Sequence, residues 1–354
     1  MILTVFFLIL IVILSFLGSL FSLKLANHFQ ILDKPSSNPD RKNQLIPVPL
    51  VGSTGFVLVC TIATALLWLG FKYNLVNFPA LIYPFRLIWV LVGIWILFIV
   101  GLLDDLAIIK PIWYFCGVFV AILVAVFGGS LRIEVLSYPF NSVNFTQINL
   151  PFLGLIWNFD LSQILAFLWI SLCLCATKFV DGSDGLCSII GIISLLTISS
   201  TSLLPSVGQP LIAVFALVWV GGLIGFLPFN FPNAQSYLGD GGSTIIGFVI
   251  GVLSILGGAK VATVGTVLGW FILDIILVMI VRISLGQSIL KGDNKLHWHH
   301  RLAGFGFSKL QILIFTTIIL LFSSHFGLYL STVFKFWLIL FQLIILTLIF
   351  AFRK

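Results

Sequence analysis

Asp181, Asp184 and Lys178 fall within nine residues, KFVDGSDGL (178–186), of a 354-residue chain that has only 11 acidic residues. On a helix, i,i+3 spacing stacks the two carboxylates on one face, and Gly182 and Gly185 clear space beside them. Two carboxylates so close repel unless a cation sits between them; Lys178 could supply one charge and a divalent metal more. A second cluster, GDGGST (239–244), sets Asp240 among glycines ahead of Ser243 and Thr244, good residues to cap a starting helix. A glycine-rich loop feeding a helix N-terminus offers free N–H groups to phosphate, and the neighbouring carboxylate suits Mg²⁺. The bland alternative is a tight inter-helix turn. Asp104 and Asp105 in GLLDDL (101–106) alone fit a solvated helix end equally well. HWHH (297–300) holds three of five histidines, His297, His299 and His300, beside Lys295 and Arg301. Zinc would need a cysteine or a second histidine group, which the segment lacks, so a cationic, hydrogen-bonding patch for a pyrophosphate fits better. His28 and His325 read as incidental.

These residues must be positioned by membrane helices. Sixty per cent of the chain is hydrophobic, 8% is charged, and mean hydropathy is +1.22, which excludes an ordinary soluble domain. Apolar runs recur at 2–21, 50–71, 84–103, 112–130, 161–178, 186–204, 209–229, 242–259, 261–281, 309–327 and 330–352. Each can cross a hydrocarbon core of about 30 Å. The expectation is an all-α polytopic membrane protein of ten or eleven spans, one integral-membrane domain over 1–354. The first segment has no basic n-region or small-residue cleavage site and reads as an uncleaved helix. The five cysteines lack metal-like pairing and read as small core residues.

With the N-terminus outside, thirteen of the 18 Lys and Arg residues fall on one side, which is therefore cytoplasmic together with the C-terminus. The net charge of +7 is then mainly a topology signal, with a bias towards anionic lipid or substrate and nothing that suggests nucleic acid. The longest outer connection, 131–160, alternates polar and apolar residues like a small hairpin and carries the glycosylation pattern Asn144-Phe145-Thr146. Asp274 lies deep in the ninth span and should face the bundle interior, with Arg282 two turns on as its expected partner.

Nearly every unusual polar cluster therefore faces the cytoplasm: DRK (40–42), GLLDDL, KFVDGSDGL, NFPNAQSYLGDGGST (230–244) and GDNKLHWHHRL (292–302). Acids for a metal, a phosphate loop and a basic patch on one aqueous side describe phosphoryl transfer by positioning and charge neutralisation. A cation-coupled transporter would place its acids near the bilayer midplane in repeated halves, whereas only Asp274 lies deep here.

At these motifs the sequence resembles the polyprenyl-phosphate N-acetylhexosamine-1-phosphate transferases, the WecA/MraY-like membrane enzymes. DKPSSNPDRKNQLIPVPLVGS (33–53) is similar to the family's first cytoplasmic loop, GLLDDL to its aspartate pair, and FVDGSDGL to its DGxDGL core. GFLPFNFPNAQSYLGDGGSTIIGF (225–248) matches closest, and HWHHRL resembles the histidine motif of the simple amino-sugar branch. The muramoyl-pentapeptide branch usually has three consecutive histidines followed by Phe-Glu, and is kept as the alternative. The resemblance implies that Asp240 is the principal Mg²⁺ ligand (Mn²⁺ being the substitute), with Asp181 at the metal. Asp104 and Asp105 would handle the lipid phosphate and its deprotonation. Asp184, Asn230 and Tyr237 would lie at the nucleotide, and Lys178, His297, His299, His300 and Arg301 at the phosphates. It implies GlcNAc-1-phosphate or a related group passing from a UDP-N-acetylhexosamine to undecaprenyl phosphate, with UMP released, in a bacterial cytoplasmic membrane; a homodimer is compatible with this. The chain departs from the family where NAxN reads CATK (175–178) and where KPIWYFCG (110–117) lacks the usual basic and glutamine residues.

Overall fold

The computed structural model describes residues 2–33, 47–49, 52–73, 84–106, 109–138, 141–145, 149–151, 158–258, 261–287 and 296–351. The DRK cluster, Asp293, Lys295 and Thr146 of the glycosylation pattern lie outside the described residues.

Twelve α-helices are described: α1 Ile2–His28, α2 Ser53–Lys72, α3 Pro84–Asp105, α4 Pro111–Leu123, α5 Leu161–Val180, α6 Leu186–Ser202, α7 Pro210–Asn230, α8 Gly239–Leu256, α9 Val261–Ser284, α10 Trp298–Gly304, α11 Lys309–Tyr329 and α12 Thr332–Ala351. Eleven of them coincide with the apolar segments. Ten are long and apolar enough to cross a membrane; α6, at 17 residues, sits at the lower limit. It ends at Ser202 because the following turn, Leu203–Val207, contains Pro205. The chain is thus an all-α polytopic membrane protein. Short α10 is an element the hydropathy pattern did not indicate.

Local chemistry sets the helix ends. Pro111 and Pro210 occupy first-turn positions in α4 and α7, where the missing N–H costs nothing. Asp160 caps α5 by accepting from Ser162 N–H at 2.9 Å, and Ser308 with Gln311 forms a capping box on α11. α4 closes with a π-helical turn, Val124–Gly128. Between α4 and α5 the expected hairpin is present: Val135–Tyr138 pairs antiparallel with Asn141–Asn144, and Asn149–Pro151 with Asn158–Asp160. A further two-residue pair joins Leu32–Asp33 to Val48–Pro49.

The core sits around α8, where 89% of the spanning window is buried, against 22% for α1 and α12. Small residues allow this depth. A Cβ on Gly247 would stand 2.7 Å from Leu174 Cα, and one on Gly251 would stand 3.0 Å from Ile170 Cα, so α8 and α5 touch through backbone. Such small-xxx-small spacing is how membrane helices gain contact where lipid supplies no hydrophobic drive. Trp219, Trp270, Phe215, Phe226, Phe248 and Phe271 fill the space around this pair and its neighbours α7 and α9.

Candidate active site

Four helices and one turn bring the polar residues to one end of the bundle. α3 ends in Asp104 and Asp105, and α8 begins at Gly239 beside it, because Gly101 and Gly241 let the two backbones meet: a Cβ on Gly101 would lie 2.2 Å from Gly241 Cα. Lys178 closes α5. The 181–185 turn leads into α6, and α10 carries the histidines.

The start of α8 differs from expectation. The helix begins four residues before Ser243, so Ser243 and Thr244 are not caps; their hydroxyls bond back to Gly239 O at 3.1 Å and Asp240 O at 2.6 Å. Leu238, at the cap position, has no side-chain acceptor, and the cap comes from another helix. Asp240 N–H donates to Asp105 Oδ1 at 3.0 Å, setting a carboxylate on the positive end of the α8 dipole. One of the N–H groups expected to face phosphate is therefore already occupied.

Beside this contact the charges crowd. Asp104's carboxyl lies against that of Asp240. Lys178 Nζ stands 3.4 Å from Asp240 Oδ2 and 3.7 Å above the centre of the Tyr114 ring. The Tyr114 hydroxyl meets Thr244 Oγ1 and donates to Asp240 O at 3.3 Å. Asp181, just beyond α5, interacts with Asp240, Asp105, Lys178 and the Ser243 hydroxyl. Burial and then the Asp240 charge push its carboxyl well above the usual range, partly countered by Ser243 and Lys178.

Asp181 and Asp184 do not share a helix face. Residues 181–185 form a turn, ended by Gly185 at φ +75°, which admits a left-handed cap at no Cβ cost, and the two carboxylates diverge. Asp184 is 5% exposed, and its Oδ2 accepts from Lys309 Nζ at 2.8 Å, Asn233 N–H at 3.1 Å and Ala234 N–H at 3.4 Å. Buried Asn230 accepts from Ser188 Oγ at 2.8 Å and donates to Ser236 O at 3.1 Å. Tyr237, half-buried, donates its N–H to Pro49 O at 2.9 Å. These bonds tie the 231–237 loop to α6, α7, α11 and the Val48–Pro49 strand.

The histidines approach the same turn from the far side. At Gly182 a Cβ would lie 3.6 Å from His299 Nε2 and 3.8 Å from His300 Nε2, so the glycine keeps a gap open between turn and rings. His299 is 2% exposed and neither of its ring nitrogens is hydrogen-bonded. Burial, then the neighbouring His300 and His297, hold its pKa well below the ordinary value, which disfavours the cationic form of this ring. His297, stacked on His299, bonds through Nδ1 to Asp274 Oδ2 at 2.6 Å, while Trp298 N–H donates to Asp274 Oδ1 at 3.0 Å. The buried Asp274 therefore holds the histidine turn, a role the sequence did not indicate. Arg301 donates to Leu296 O at 3.0 Å and Phe350 O at 3.1 Å and stacks on the Phe350 ring, fastening α10 to α12.

Asp274→Asn should keep the bond to Trp298 while removing the charged acceptor from His297 Nδ1. The expected result is a stability loss of about 1–3 kcal/mol, seen as a lower melting midpoint in detergent. An unchanged midpoint would show that the pair does not anchor α10.

Sequence reasoning missed Tyr114 and Lys309. Tyr114 had one available signal: it lies one turn past Pro111, at the polar end of an apolar helix.

Residues 87–258 match the sequence model of Glycosyl transferase family 4, a stretch that holds every polar site residue above except Asp274, the histidines, Arg301 and Lys309. The chain is 32% identical over 246 residues to the "Probable undecaprenyl-phosphate N-acetylglucosaminyl 1-phosphate transferase" of Bacillus subtilis, covering 67% of this chain and 64% of the relative. It is 29% identical over 297 residues to the decaprenyl-phosphate N-acetylglucosaminephosphotransferase of Mycolicibacterium smegmatis, covering 76% and 68%. A phospho-N-acetylmuramoyl-pentapeptide-transferase of Carboxydothermus hydrogenoformans is 32% identical over 157 residues, or 43% of this chain and 47% of the relative. The chain thus spans just under two thirds of the Bacillus relative's length.

Proposed function

We propose that the chain is a member of glycosyl transferase family 4, whose model matches residues 87–258, and that it transfers N-acetylhexosamine-1-phosphate from a UDP-sugar to undecaprenyl phosphate in the bacterial cytoplasmic membrane. The observation that carries this is the convergence of Asp104, Asp181 and Asp240 around one ammonium, Lys178, with Asp105 bonded to the Asp240 main chain, at a single end of a membrane bundle. Four acids against one base leave room for cationic neutralisation. Among the described residues no three His, Cys, Asp or Glu side chains form a ready ligand set. Mg²⁺ takes one or two carboxylates and completes its shell with phosphate oxygens and water. Asp240 and Asp181 would hold it, with Mn²⁺ as a substitute, and when bound it would neutralise charge on the diphosphate.

The chain's own residues do the rest. Asp104, half-buried and against Asp240, takes the proton of the acceptor phosphate. Asp105 fixes the helix start from which Asp240 projects. An oxygen of the lipid phosphate attacks the β-phosphorus of the donor; the new P–O bond forms as the bond to the α-phosphate bridging oxygen breaks, and UMP leaves with that electron pair. Lys178, His299 and His300 face the phosphates, while His297 and Arg301 shape the turn that presents them. Asp184 and Asn230 hold the 231–237 loop, on which Tyr237 offers a ring to the uracil. This assigns the active end to the cytoplasm, where nucleotide sugars are.

The pentapeptide reading is less favoured, because the histidine motif is HWHH and the Bacillus and Mycolicibacterium N-acetylglucosamine enzymes match 67% and 76% of the chain, against 43% for the Carboxydothermus pentapeptide transferase. The transporter reading loses its midplane acid, since Asp274 is committed to His297 and Trp298. Membranes containing the protein, given tritiated UDP-GlcNAc and undecaprenyl phosphate, should form a labelled lipid that tunicamycin suppresses. If no UDP-N-acetylhexosamine yields either labelled lipid or UMP, the enzyme reading fails.

A further inference from the structure

We propose that Lys178 is a built-in counter-cation of the Asp240 carboxylate, held in place by Tyr114, and that a divalent cation binding at Asp240 must displace it. The inference deepens the proposed function and rests on it for the identity of the cation site.

Three helices build the arrangement. Lys178 reaches from the last turn of α5 to within 3.4 Å of Asp240 Oδ2 on α8. Tyr114, 4% exposed on α4, lies beneath the ammonium with its ring centre 3.7 Å away. The ring is itself pinned, because its hydroxyl is bonded to Thr244 Oγ1 and to Asp240 O. A flexible lysine stem would ordinarily wander; a cation–π contact at this distance, beside a carboxylate, gives it a preferred place. The other acids facing it, Asp104 and Asp181, come from α3 and from the turn after α5 and deepen the same well.

The same position is where a metal at Asp240 would need the carboxylate oxygen. Ammonium and divalent cation repel, and they compete for one Oδ2. When the metal wins, the ammonium is freed on a tether short enough to reach only its immediate surroundings, where the donor's phosphates are the strongest acceptors. Lysine and metal therefore exchange at Asp240, which weakens metal binding in the empty enzyme and couples it to arrival of the diphosphate.

Mn²⁺ binding to the purified full-length protein in detergent, followed by electron paramagnetic resonance, tests this without requiring turnover. Lys178→Met keeps the apolar stem and removes the charge; Mn²⁺ should bind about tenfold more tightly or better, since one nearby like charge is gone. Lys178→Gln should behave alike if the methionine variant folds poorly, and melting curves check both. Tyr114→Leu, which removes the ring holding the ammonium, should tighten Mn²⁺ about two- to threefold. Adding UDP should tighten Mn²⁺ in the parent more than in Lys178→Met. Mn²⁺ affinity of either folded lysine variant within twofold of the parent, or weaker, overturns the proposal. So does undiminished Mn²⁺ binding by Asp240→Asn. The labelled-lipid assay separates the two readings. Labelled lipid with unaltered Mn²⁺ binding sinks the counter-cation alone; tighter Mn²⁺ binding with neither labelled lipid nor UMP from any UDP-N-acetylhexosamine sinks the transferase assignment alone.

Discussion

Asp240→Asn should give a protein that inserts and melts like the parent and turns over on the order of 10²–10³ times more slowly. The asymmetry follows from how Asp240 is used. Its structural bonds run through the main chain: the N–H donates to Asp105, and the carbonyl accepts from Thr244 and Tyr114. Asparagine keeps all three. The side chain is half exposed, at 49%, so losing its ion pair with Lys178 should cost under about 1 kcal/mol of stability. What disappears is the formal charge where a cation and a diphosphate are proposed to meet. The measurement is turnover at saturating Mg²⁺ beside a melting curve in the same detergent. Activity within about fivefold of the parent would sink the assignment of Asp240 as metal ligand, and a collapsed melting midpoint would mean that the carboxylate is structural after all.

The spans were legible because hydropathy acts along the chain: each of the eleven apolar runs became a helix. The site acids were legible for a related reason, since a carboxylate in so apolar a chain is costly unless it is employed. Their grouping was not, because it depends on which helices touch. Asp105 and Asp240 are 135 residues apart, and Tyr114 and Thr244 are 130 apart. Tyr114 also hides among 35 Phe, 10 Trp and 6 Tyr, where one more aromatic carries no message. Spacing misled at Asp181 and Asp184, because i,i+3 puts residues on one face only if the segment is helical, and glycines at 182 and 185 make it a turn. It misled again at Ser243 and Thr244, which are good caps by type, yet the cap is Asp105, supplied by a helix that sequence proximity could not point to. Asp274 was read correctly as buried, while its bonds to His297 and Trp298 went unforeseen. These partners follow a connection that hydropathy leaves blank.

Gly101→Val should lower turnover on the order of 10²-fold while destabilising the fold, though the residue touches no proposed substrate. Judged as a helix residue, Gly101 is a poor choice; alanine there should gain roughly 0.5–1 kcal/mol from propensity alone. Tertiary contact reverses that sign. A Cβ at this position would lie 2.2 Å from Gly241 Cα and 3.0 Å from Gly241 N, both backbone atoms that cannot rotate away. The only relief is for α3 and α8 to part, and the parting falls one turn from the residues that matter: Asp104 and Asp105 on one helix, Asp240 on the other. The 3.0 Å bond from Asp240 N–H to Asp105 is the first contact in its path, and the Asp104–Asp240 contact is the next. Overpacking of this kind typically costs about 1–3 kcal/mol, so the melting midpoint should fall as well. Gly101→Ala should show the same pattern, attenuated, with turnover falling further than stability because catalysis depends on sub-ångström placement and folding does not. A valine variant that melts and turns over like the parent would mean that the α3–α8 contact is not what assembles the acids, and the proposed site would lose its scaffold.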